Sequence, residues 1–292
     1  MRRPRLHVPG ACYHATLRGN HQQDIFFSEA DRQLLSHYVA AACERTGARI
    51  HAYCWMSNHI HLLIQVADAP LGAFMQRIGT RYARTIQARV PTTGHLFQNR
   101  YHALLVDVDR YFVALLRYIH LNPVRAGLVA DPADYLWSSH GAYLGRTTQE
   151  WLTTDFGLSY FASTEVQARE RYQTFVMQAL GASRDPQLTT PPRGEPRVLG
   201  DESFAHRIAR LPVTVVKPRG LDEIVDEVCR ELGVSLAELQ SPSQLRRLSR
   251  ARGQVTSRAL AAGAATLSEV AKRLNRSASA LTRIAERYGR AR

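Results

Sequence analysis

Two histidines separated by a single residue, His59 and His61, have the residue type and spacing of metal ligands. They lie in a predicted strand, where alternate side chains point to one face and Cα atoms two residues apart are separated by roughly 6.5 Å. Two imidazole nitrogens at that separation can converge on one ion, while Ile60 and Leu62 would point to the opposite face, into the core. Two polar residues on a solvent-facing strand give the same pattern, so the spacing alone leaves both interpretations open.

A second chemical group is Tyr118, on a predicted helix that also carries Asn122. Residues four apart share a helix face, so a phenol oxygen and an amide oxygen would be offered to the same region. A half-buried packing tyrosine and an ordinary asparagine before Pro123 are the structural alternatives.

The elements that must position these residues follow a regular order. Strand patterns occupy residues 11–18, 49–55, 59–66 and 101–106. Helical spacing predicts one helix that begins after Ser28 and ends at Gly47, a second at 70–89, and a third at 108–121 that stops before Pro123. The order strand, helix, strand, strand, helix, strand predicts an α+β fold with a ferredoxin-like split βαβ arrangement, an antiparallel four-stranded sheet with helices on one face. In such a fold a helix-borne Tyr118 can face the two histidines.

The rest of the chain predicts a second, smaller domain. Residues 1–180 form the first predicted domain, and residues 181–219 a linker rich in Pro, Gly and Thr with a short helix at 203–210. Residues 220–292 form a small all-α domain with helices at 221–233, 243–262, 266–274 and 277–288. The short turn at Asn275 and Arg276 between the last two helices predicts a helix-turn-helix.

Charge points to a polyanionic partner. The formal net charge is +13, and residues 241–292 hold twelve Arg or Lys against Glu269 and Glu286, a net charge of +10. A basic excess clustered on one segment favours nucleic acid, because neutralised phosphates release condensed counterions. A G- and C-rich genome would explain why most basic residues are arginine, but not the excess over acid.

The composition of the sequence also limits where in the cell the protein is expected to be. No apolar run approaches the roughly 20 residues that cross a bilayer, and no hydrophobic signal segment follows the basic N-terminus. The four cysteines form no close pair, which indicates buried thiols in a reducing compartment. The sequence therefore predicts a cytoplasmic, nucleoid-associated protein with no membrane partner.

Two segments carry a family resemblance. Residues 56–64, Met-Ser-Asn-His-Ile-His-Leu-Leu-Ile, resemble the histidine–hydrophobic–histidine motif of HUH single-strand nucleases. Residues 118–129, Tyr-Ile-His-Leu-Asn-Pro-Val-Arg-Ala-Gly-Leu-Val, are similar to the helix of REP-associated tyrosine transposases, and Trp137-Ser138-Ser139 also resembles that family. The resemblance runs from about residue 5 to residue 145.

The resemblance implies a metal-dependent single-strand DNA endonuclease and strand transferase that forms a 5′-phosphotyrosine intermediate, on hairpins of repetitive palindromic DNA. Tyr118 would be the nucleophile, and His59, His61 and Asn122 would hold Mg²⁺ or Mn²⁺. Imidazoles suit Mn²⁺ better than Mg²⁺. Some single-tyrosine relatives have Gln or Glu as the third ligand. Related insertion-sequence transposases act as dimers that share the tyrosine, so the chain is expected to be a monomer or a homodimer.

Further residues are expected to contact DNA. Those in the first domain are His14, Arg18, Asn20 and Arg100. His120 points away from Tyr118 on the same helix and is interpreted as structural or as a phosphate contact.

Residues 221–288 resemble the DNA-binding domain of the bacterial replication initiator DnaA, with Ser277-Ala278-Ser279-Ala280-Leu281 in place of the usual signature of that domain. The last helix would lie in the major groove of duplex DNA. The residues expected to contact it are Ser279, Thr282, Arg283 and Arg287. A helical interaction module with solvated charges is the alternative.

Two other functions fit the sequence. A transposase-derived repressor or architectural protein would bind DNA without cutting it. A metal hydrolase of another class would use water as its nucleophile and leave no adduct between protein and DNA.

Overall fold

The computed structural model describes residues 6–90, 94–182, 188, 195–210, 220–262 and 264–288. The chain divides into two compact units, Met1–Val215 and Val216–Arg292. Among the residues described, no helix has the length and apolar character of a membrane span. The four cysteines are free. Cys12 and Cys54 are buried, as predicted, whereas Cys43 and Cys229 are partly exposed.

The first unit is built on one five-stranded sheet in the order β2-β3-β1-β4-β5. The strands are β1 (Cys12–Arg18), β2 (Arg49–Trp55), β3 (His59–Gln65), β4 (His102–Val106) and β5 (Val198–Leu199). The first four pair antiparallel, whereas β5 pairs parallel with β4. The sequence predicted four strands. The fifth was missed because two residues carry no alternating pattern, and it comes from the segment predicted to be a linker.

Helices cover both faces of this sheet. The helices α1 (Glu29–Thr46) and α2 (Leu71–Arg89) pack on one face, against side chains such as Ile60 and Leu62. The opposite face is covered by α3 (Val108–Arg125), α4 (His140–Tyr143), α5 (Asp155–Leu158) and α6 (Glu165–Met177), against side chains such as Leu63 and Leu104. The prediction of helices on one face was therefore wrong. Both faces of the central strands carry apolar side chains, and each needs a covering layer.

Local signals fixed both ends of α1. Its N-cap is Ser28, and the Asp31 carboxylate accepts hydrogen bonds from the backbone N–H groups of Phe27 and Ser28, each at 2.9 Å. Its C-cap is Gly47, with a left-handed φ of 69° that suits glycine. Both caps were predicted from the sequence and are confirmed.

Helix α3 continues past the point where the sequence predicted its end. It includes Asn122 and Pro123 and ends at Arg125. Proline has no N–H, so the carbonyl oxygen of Ile119 loses its usual partner. The side-chain amide of Asn122 lies 3.5 Å from that oxygen and donates a hydrogen bond of 2.9 Å to the carbonyl oxygen of Tyr118. This local compensation lets the helix accept a proline in its last turn.

The secondary structure of the second unit, in its described residues, consists of helices joined by short loops. Its helices are α8 (Leu221–Leu232), α9 (Leu236–Gln240), α10 (Arg246–Ala262), α11 (Leu267–Arg273) and α12 (Ala278–Tyr288), while α7 (Glu202–Arg210) belongs to the first unit. Their apolar faces form one core that includes Val225, Leu239, Val255 and Leu281. The four residues between α11 and α12 include Asn275, which has a left-handed φ of 53°.

One arginine of the second unit is part of its interior. Arg252 on α10 is 1% exposed, and its guanidinium donates hydrogen bonds to the carbonyl oxygens of Glu238, Leu239, Ser241 and Ser243 at 2.6–3.1 Å. These bonds join α10 to the segment around α9. Burial lowers the pKa of Arg252, with the nearby charge of Arg276 as a second cause. The residue therefore contributes to the fold rather than to the basic surface.

Replacing Arg252 with methionine should destabilise the second unit by about 3 kcal/mol, since several buried carbonyl oxygens lose a charged donor. Native-state hydrogen exchange of the α10 amides in the full chain measures the change. The exposed Arg250, on the same helix, supplies the control: Arg250→Met should leave the exchange rates nearly unchanged. Equal rates in the two variants would contradict a structural role for Arg252.

Candidate active site

Strand β3 places its two histidines on the face covered by α3. His59 and His61 are two residues apart, and His61 is 5% exposed. Between and beyond them, Ile60 and Leu62 are fully buried in the opposite core, as the sequence predicted. The strand is fixed on both sides, because His61 is paired with Thr16 of β1 and with Cys54 of β2. The two imidazoles therefore have a defined position at one end of the sheet.

Helix α3 brings Tyr118 against these histidines. The phenol ring lies 5.8 Å from the ring of His61 and 6.0 Å from the ring of His14, in both cases edge to face. Only 8% of Tyr118 is exposed. The sequence predicted that a helix-borne phenol and two strand-borne imidazoles could meet. The structure places the phenol ring next to His61, whose ring centre lies 4.8 Å from that of His59.

The two imidazoles present the same nitrogen to each other. The Nε2 atoms of His59 and His61 are 3.1 Å apart. Two adjacent ligands of an octahedral ion, each at about 2.1 Å, would lie about 3 Å from each other. The separation therefore fits two nitrogens bound to one Mg²⁺ or Mn²⁺ ion, as it fits an N–H···N hydrogen bond between the rings.

The opposite nitrogen of each ring is also engaged. The Nδ1 of His59 lies 2.6 Å from the Oδ1 of Asn58, whose own Nδ2 donates to the carbonyl oxygen of Gln22 at 3.1 Å. The Nδ1 of His61 lies 2.9 Å from the Nε2 of His14. Metal-binding histidines usually have such a partner on their second nitrogen. Asn58 and His14 were not assigned this role from the sequence, because such contacts depend on the pairing of distant segments.

His14 was expected to contact DNA, but it is a buried residue. It is 7% exposed, and its ring lies nearly parallel to that of His61, with the ring centres 5.2 Å apart. Burial lowers the pKa of His14 to about 3, with the neighbouring His102 as a smaller cause. The ring is therefore neutral at pH 7, and it serves the interior of the site rather than its surface.

Asn122, the third candidate ligand, lies on the same helix face as Tyr118 and is 6% exposed. Its side-chain nitrogen is directed to carbonyl oxygens of its own helix. Only Oδ1 can then serve a cation. Within the described residues, no group of three or more His, Cys, Asp or Glu side chains is arranged to hold a metal ion. An ion at His59 and His61 would therefore take its other ligands from an amide, water or phosphate oxygen.

A cation lies next to the phenol. The guanidinium carbon of Arg125 is 5.5 Å from the centre of the Tyr118 ring, and its Nη1 lies 3.4 Å from the Tyr118 carbonyl oxygen. The sequence placed Arg125 within the family-like helix but gave it no role. A guanidinium here can favour a negative charge on the phenol or on a bound phosphate.

His120 lies behind the site in a buried polar network. Its Nε2 is 2.6 Å from the Oγ of Ser139, and its Nδ1 is 2.6 Å from the hydroxyl of Tyr172, which is also 2.5 Å from the Nδ1 of His140. Ser139 in turn bonds the backbone of Tyr53 on β2. Burial lowers the pKa of His140 to about 4, and burial also lowers the pKa of His120 well below its usual value. The network ties α3 to α6 and to the sheet, so the structural interpretation of His120 is the one that the geometry supports.

Replacing Tyr172 with phenylalanine should destabilise the first unit, because two buried ring nitrogens lose a partner at a cost of about 1–3 kcal/mol each. All three tryptophans, Trp55, Trp137 and Trp151, belong to this unit. Their fluorescence during urea unfolding of the full chain therefore reports its stability. The exposed Tyr160 provides the control, and Tyr160→Phe should unfold at nearly the wild-type urea concentration. A Tyr172→Phe midpoint equal to that of the wild type would show that the network adds no stability.

The residues expected to contact DNA in the first unit lie near this site. Arg18 is exposed at the end of β1, where it is paired with His59. Asn20 is partly exposed, and its backbone N–H bonds the carbonyl oxygen of Leu96. Arg100 is exposed two residues before β4, at the same end of the sheet. Between Arg18 and Asn20, a Cβ at Gly19 would lie 2.2 Å from the Gln23 carbonyl oxygen, so this turn requires glycine.

In the second unit, the four residues predicted to contact duplex DNA are all exposed on α12: Ser279, Thr282, Arg283 and Arg287. On the same helix Leu281 is buried in the core of the unit. The helix thus has one packed face and one polar face, as its sequence indicated.

Part of this chain is similar to known proteins. Residues 7–122 match the family described as "Transposase IS200 like". The matched range includes His59, His61, Tyr118 and Asn122, and it supports an enzyme with a transposase function. No match was found among curated proteins. Among solved structures, a REP-associated tyrosine transposase bound to a REP hairpin is similar, with 15% identity and a TM-score of 0.44 over 52% of this chain and 97% of that chain.

Proposed function

We propose that the protein is a metal-dependent single-strand DNA endonuclease and strand transferase that uses Tyr118 as its nucleophile. The observation that carries this proposal is the contact between rings: the phenol of Tyr118 lies 5.8 Å from His61, whose Nε2 is 3.1 Å from that of His59. The match of residues 7–122 to the IS200-like transposases supports the same reaction class.

The proposed metal site consists of His59 and His61, with Asn122 as a third ligand. The 3.1 Å separation of the two Nε2 atoms is that of adjacent ligands on one ion. Mg²⁺ or Mn²⁺, when bound, polarises the scissile phosphodiester and stabilises the charge that develops on it. The imidazole nitrogens favour Mn²⁺ as the more stable occupant.

Tyr118 performs the nucleophilic step. Its Oη forms a bond to phosphorus while the bond to the 3′-oxygen breaks, which leaves a 5′-phosphotyrosine and a free 3′-hydroxyl. An ordinary phenol is protonated at neutral pH, so the hydroxyl proton must leave as the new bond forms, and the departing oxygen takes up a proton. Attack by a second 3′-hydroxyl restores the phenol and joins the DNA to a new strand. The reaction is then a transfer rather than a hydrolysis.

Neighbouring residues would position the substrate. Arg125, beside the phenol ring, would bind the scissile phosphate, and the exposed Arg18 and Arg100 would bind the strand on either side of it. We propose hairpins of repetitive palindromic DNA as the substrate, because the helix that carries Tyr118 resembles that of REP-associated transposases. Tyr118 and both histidines belong to one chain, so we propose that a monomer suffices for cleavage.

The second unit is proposed to bind duplex DNA. Its polar helix face carries Ser279, Thr282, Arg283 and Arg287 in exposed positions, and residues 241–292 carry a net charge of +10. A helix of this kind fits the major groove. This binding would hold the nuclease near chromosomal sites and place the protein at the nucleoid.

A covalent trap tests the proposed function. The full chain is mixed with a library of hairpin oligonucleotides, labelled on the 3′ side of the expected cut, in the presence of Mn²⁺. We expect a labelled protein band that survives denaturing gel electrophoresis and disappears with EDTA. DNA binding that survives EDTA, without cleavage or adduct, would favour a non-catalytic repressor or architectural protein. Cleavage without an adduct would indicate a water nucleophile.

A further inference from the structure

The three site histidines form a continuous line of ring nitrogens. His14 Nε2 lies 2.9 Å from His61 Nδ1, and His61 Nε2 lies 3.1 Å from His59 Nε2. Each N···N contact has room for one proton. Because a neutral imidazole carries one N–H and one lone pair, the position of a single proton determines which nitrogens can bind a cation.

The tautomer of His59 is set by its neighbour. The side-chain nitrogen of Asn58 donates to the Gln22 carbonyl oxygen, which turns the Asn58 carbonyl oxygen toward His59. That oxygen can only accept, so His59 Nδ1 carries the proton and its Nε2 presents a lone pair. The orientation of Asn58 follows from the Gln22 contact, since an amide nitrogen is the group that can donate to a carbonyl.

The tautomer of His61 depends on His14. If His14 donates, His61 must place its own proton on Nε2, where it meets the lone pair of His59 and excludes a cation. If His14 accepts, His61 carries its proton on Nδ1, and two lone pairs converge across 3.1 Å. Resting on the metal-dependent function proposed above, we propose that His14 is a positioning residue whose Nε2 accepts the Nδ1 proton of His61 and so makes His61 Nε2 available to the ion.

The placement of His14 suits this role. It is on β1, where residue 14 is paired with Leu63, and alternation puts its side chain on the same face as His61. The two rings are nearly parallel, at an interplanar angle of 15°, and the Tyr118 ring lies 6.0 Å from that of His14 at an interplanar angle of 78°. His14 is 7% exposed, so water has little access to replace it as the acceptor. In the alternative arrangement, His14 and His61 both carry their proton on Nε2. The proposed arrangement is reached when each ring moves that proton to Nδ1, so the site neither gains nor loses a proton.

Nitrogen NMR of the wild-type full chain, labelled with ¹⁵N-histidine and loaded with Mg²⁺, tests the proton positions directly. We expect His61 to be protonated on Nδ1 and unprotonated on Nε2, with a nitrogen–nitrogen coupling across the hydrogen bond to His14. A proton on His61 Nε2 in the loaded protein would overturn the assignment. This measurement needs no catalysis. Absence of the Tyr118 adduct alongside the expected tautomer would reject the proposed function and leave the role of His14 intact.

Variants provide a second test through Mn²⁺ affinity, measured by electron paramagnetic resonance of the full chain. His14→Leu removes the acceptor and should weaken Mn²⁺ binding about 10–100-fold. His14→Gln retains a carbonyl oxygen near the position of Nε2 and should stay within a few fold of the wild type. Wild-type affinity in His14→Leu, or equal losses in both variants, would contradict the proposal.

The control for burial is His51, another histidine of the same sheet. It is 1% exposed and its Nε2 contacts Gln65 at 3.2 Å. His51→Leu makes the same change in a buried position away from His59 and His61, and it should leave Mn²⁺ affinity unchanged. If His14→Leu does not fold, the NMR measurement on the wild-type protein still decides the question.

Discussion

Replacing Tyr118 with phenylalanine is expected to reduce the covalent protein–DNA adduct to background. The change removes only the hydroxyl, and the aromatic ring keeps its packing against His14 and His61. A phosphotyrosine cannot form without that oxygen, so the expected loss is complete. The assay is gel separation of the full chain after reaction with a labelled suicide oligonucleotide under Mn²⁺.

The matched control for this variant is Tyr111→Phe. Tyr111 lies seven residues earlier on the same helix and is partly buried beside the same core. Its loss of a hydroxyl has a comparable effect on packing and should leave the adduct in place. An undiminished adduct in Tyr118→Phe would remove Tyr118 from the role of nucleophile and would direct the search to another tyrosine.

Replacing His59 with alanine is expected to lower DNA cleavage by at least about 100-fold, because the ion contributes several kcal/mol to the transition state and each 1.36 kcal/mol is a tenfold change in rate. His59 is only partly buried, because it is the first residue of β3. Its removal should therefore disturb the fold less than removal of His61. Mn²⁺ affinity and cleavage should fall together, which titration of each against Mn²⁺ concentration will measure.

The control for loss of a histidine is His37→Ala. His37 is exposed on α1, and this helix covers the other face of the sheet. Its removal should change neither Mn²⁺ affinity nor cleavage. Wild-type cleavage by His59→Ala, or cleavage by the wild type in EDTA, would contradict the metal site while leaving Tyr118 as a candidate nucleophile.

The Tyr118→Phe and His59→Ala variants together also distinguish the binding of Mn²⁺ and DNA from the cleavage reaction. Tyr118→Phe should bind Mn²⁺ and hairpin DNA with wild-type affinity, because the phenol oxygen is proposed to act only in the reaction. His59→Ala should lose Mn²⁺ affinity but keep the DNA contacts proposed for Arg18 and Arg100. A protein that loses DNA binding in both variants would indicate a damaged fold rather than a missing reactive group.

Local patterns in the sequence determined most of the secondary structure and which side chains share one face of a strand or helix. Alternation along residues 59–65 placed His59 and His61 on one face and Ile60 and Leu62 on the other, as the structure has them. The caps at Ser28 and Gly47 could be predicted from the sequence because helix capping depends on a few adjacent residues. The apolar spacing of the second unit likewise predicted α8, α10, α11 and α12, but it did not predict the short helix α9.

The predictions were wrong where contacts with other parts of the chain outweighed the local sequence pattern. Helix α3 passes through Pro123 because the side chain of Asn122 and the packing of the helix offset the missing hydrogen bond. Strand β5 forms by pairing with β4, and a two-residue strand has no alternating pattern by which the sequence could have predicted it. His14 was expected at the DNA surface because alternation identifies a face of a strand but not the layer that covers it.

The sequence by itself determined that two imidazoles share a strand face and that a phenol and an amide share a helix face, because those relations follow from backbone geometry within a few residues. Tertiary structure alone decided that α3 covers the face opposite α1 and α2, which is the face toward which the histidines point. It also decided that His14, 47 residues from His61, supplies the hydrogen-bond partner of that ring. The physical reason is that side-chain periodicity records a local conformation, whereas the choice of face depends on how all the apolar surfaces of the unit are buried together.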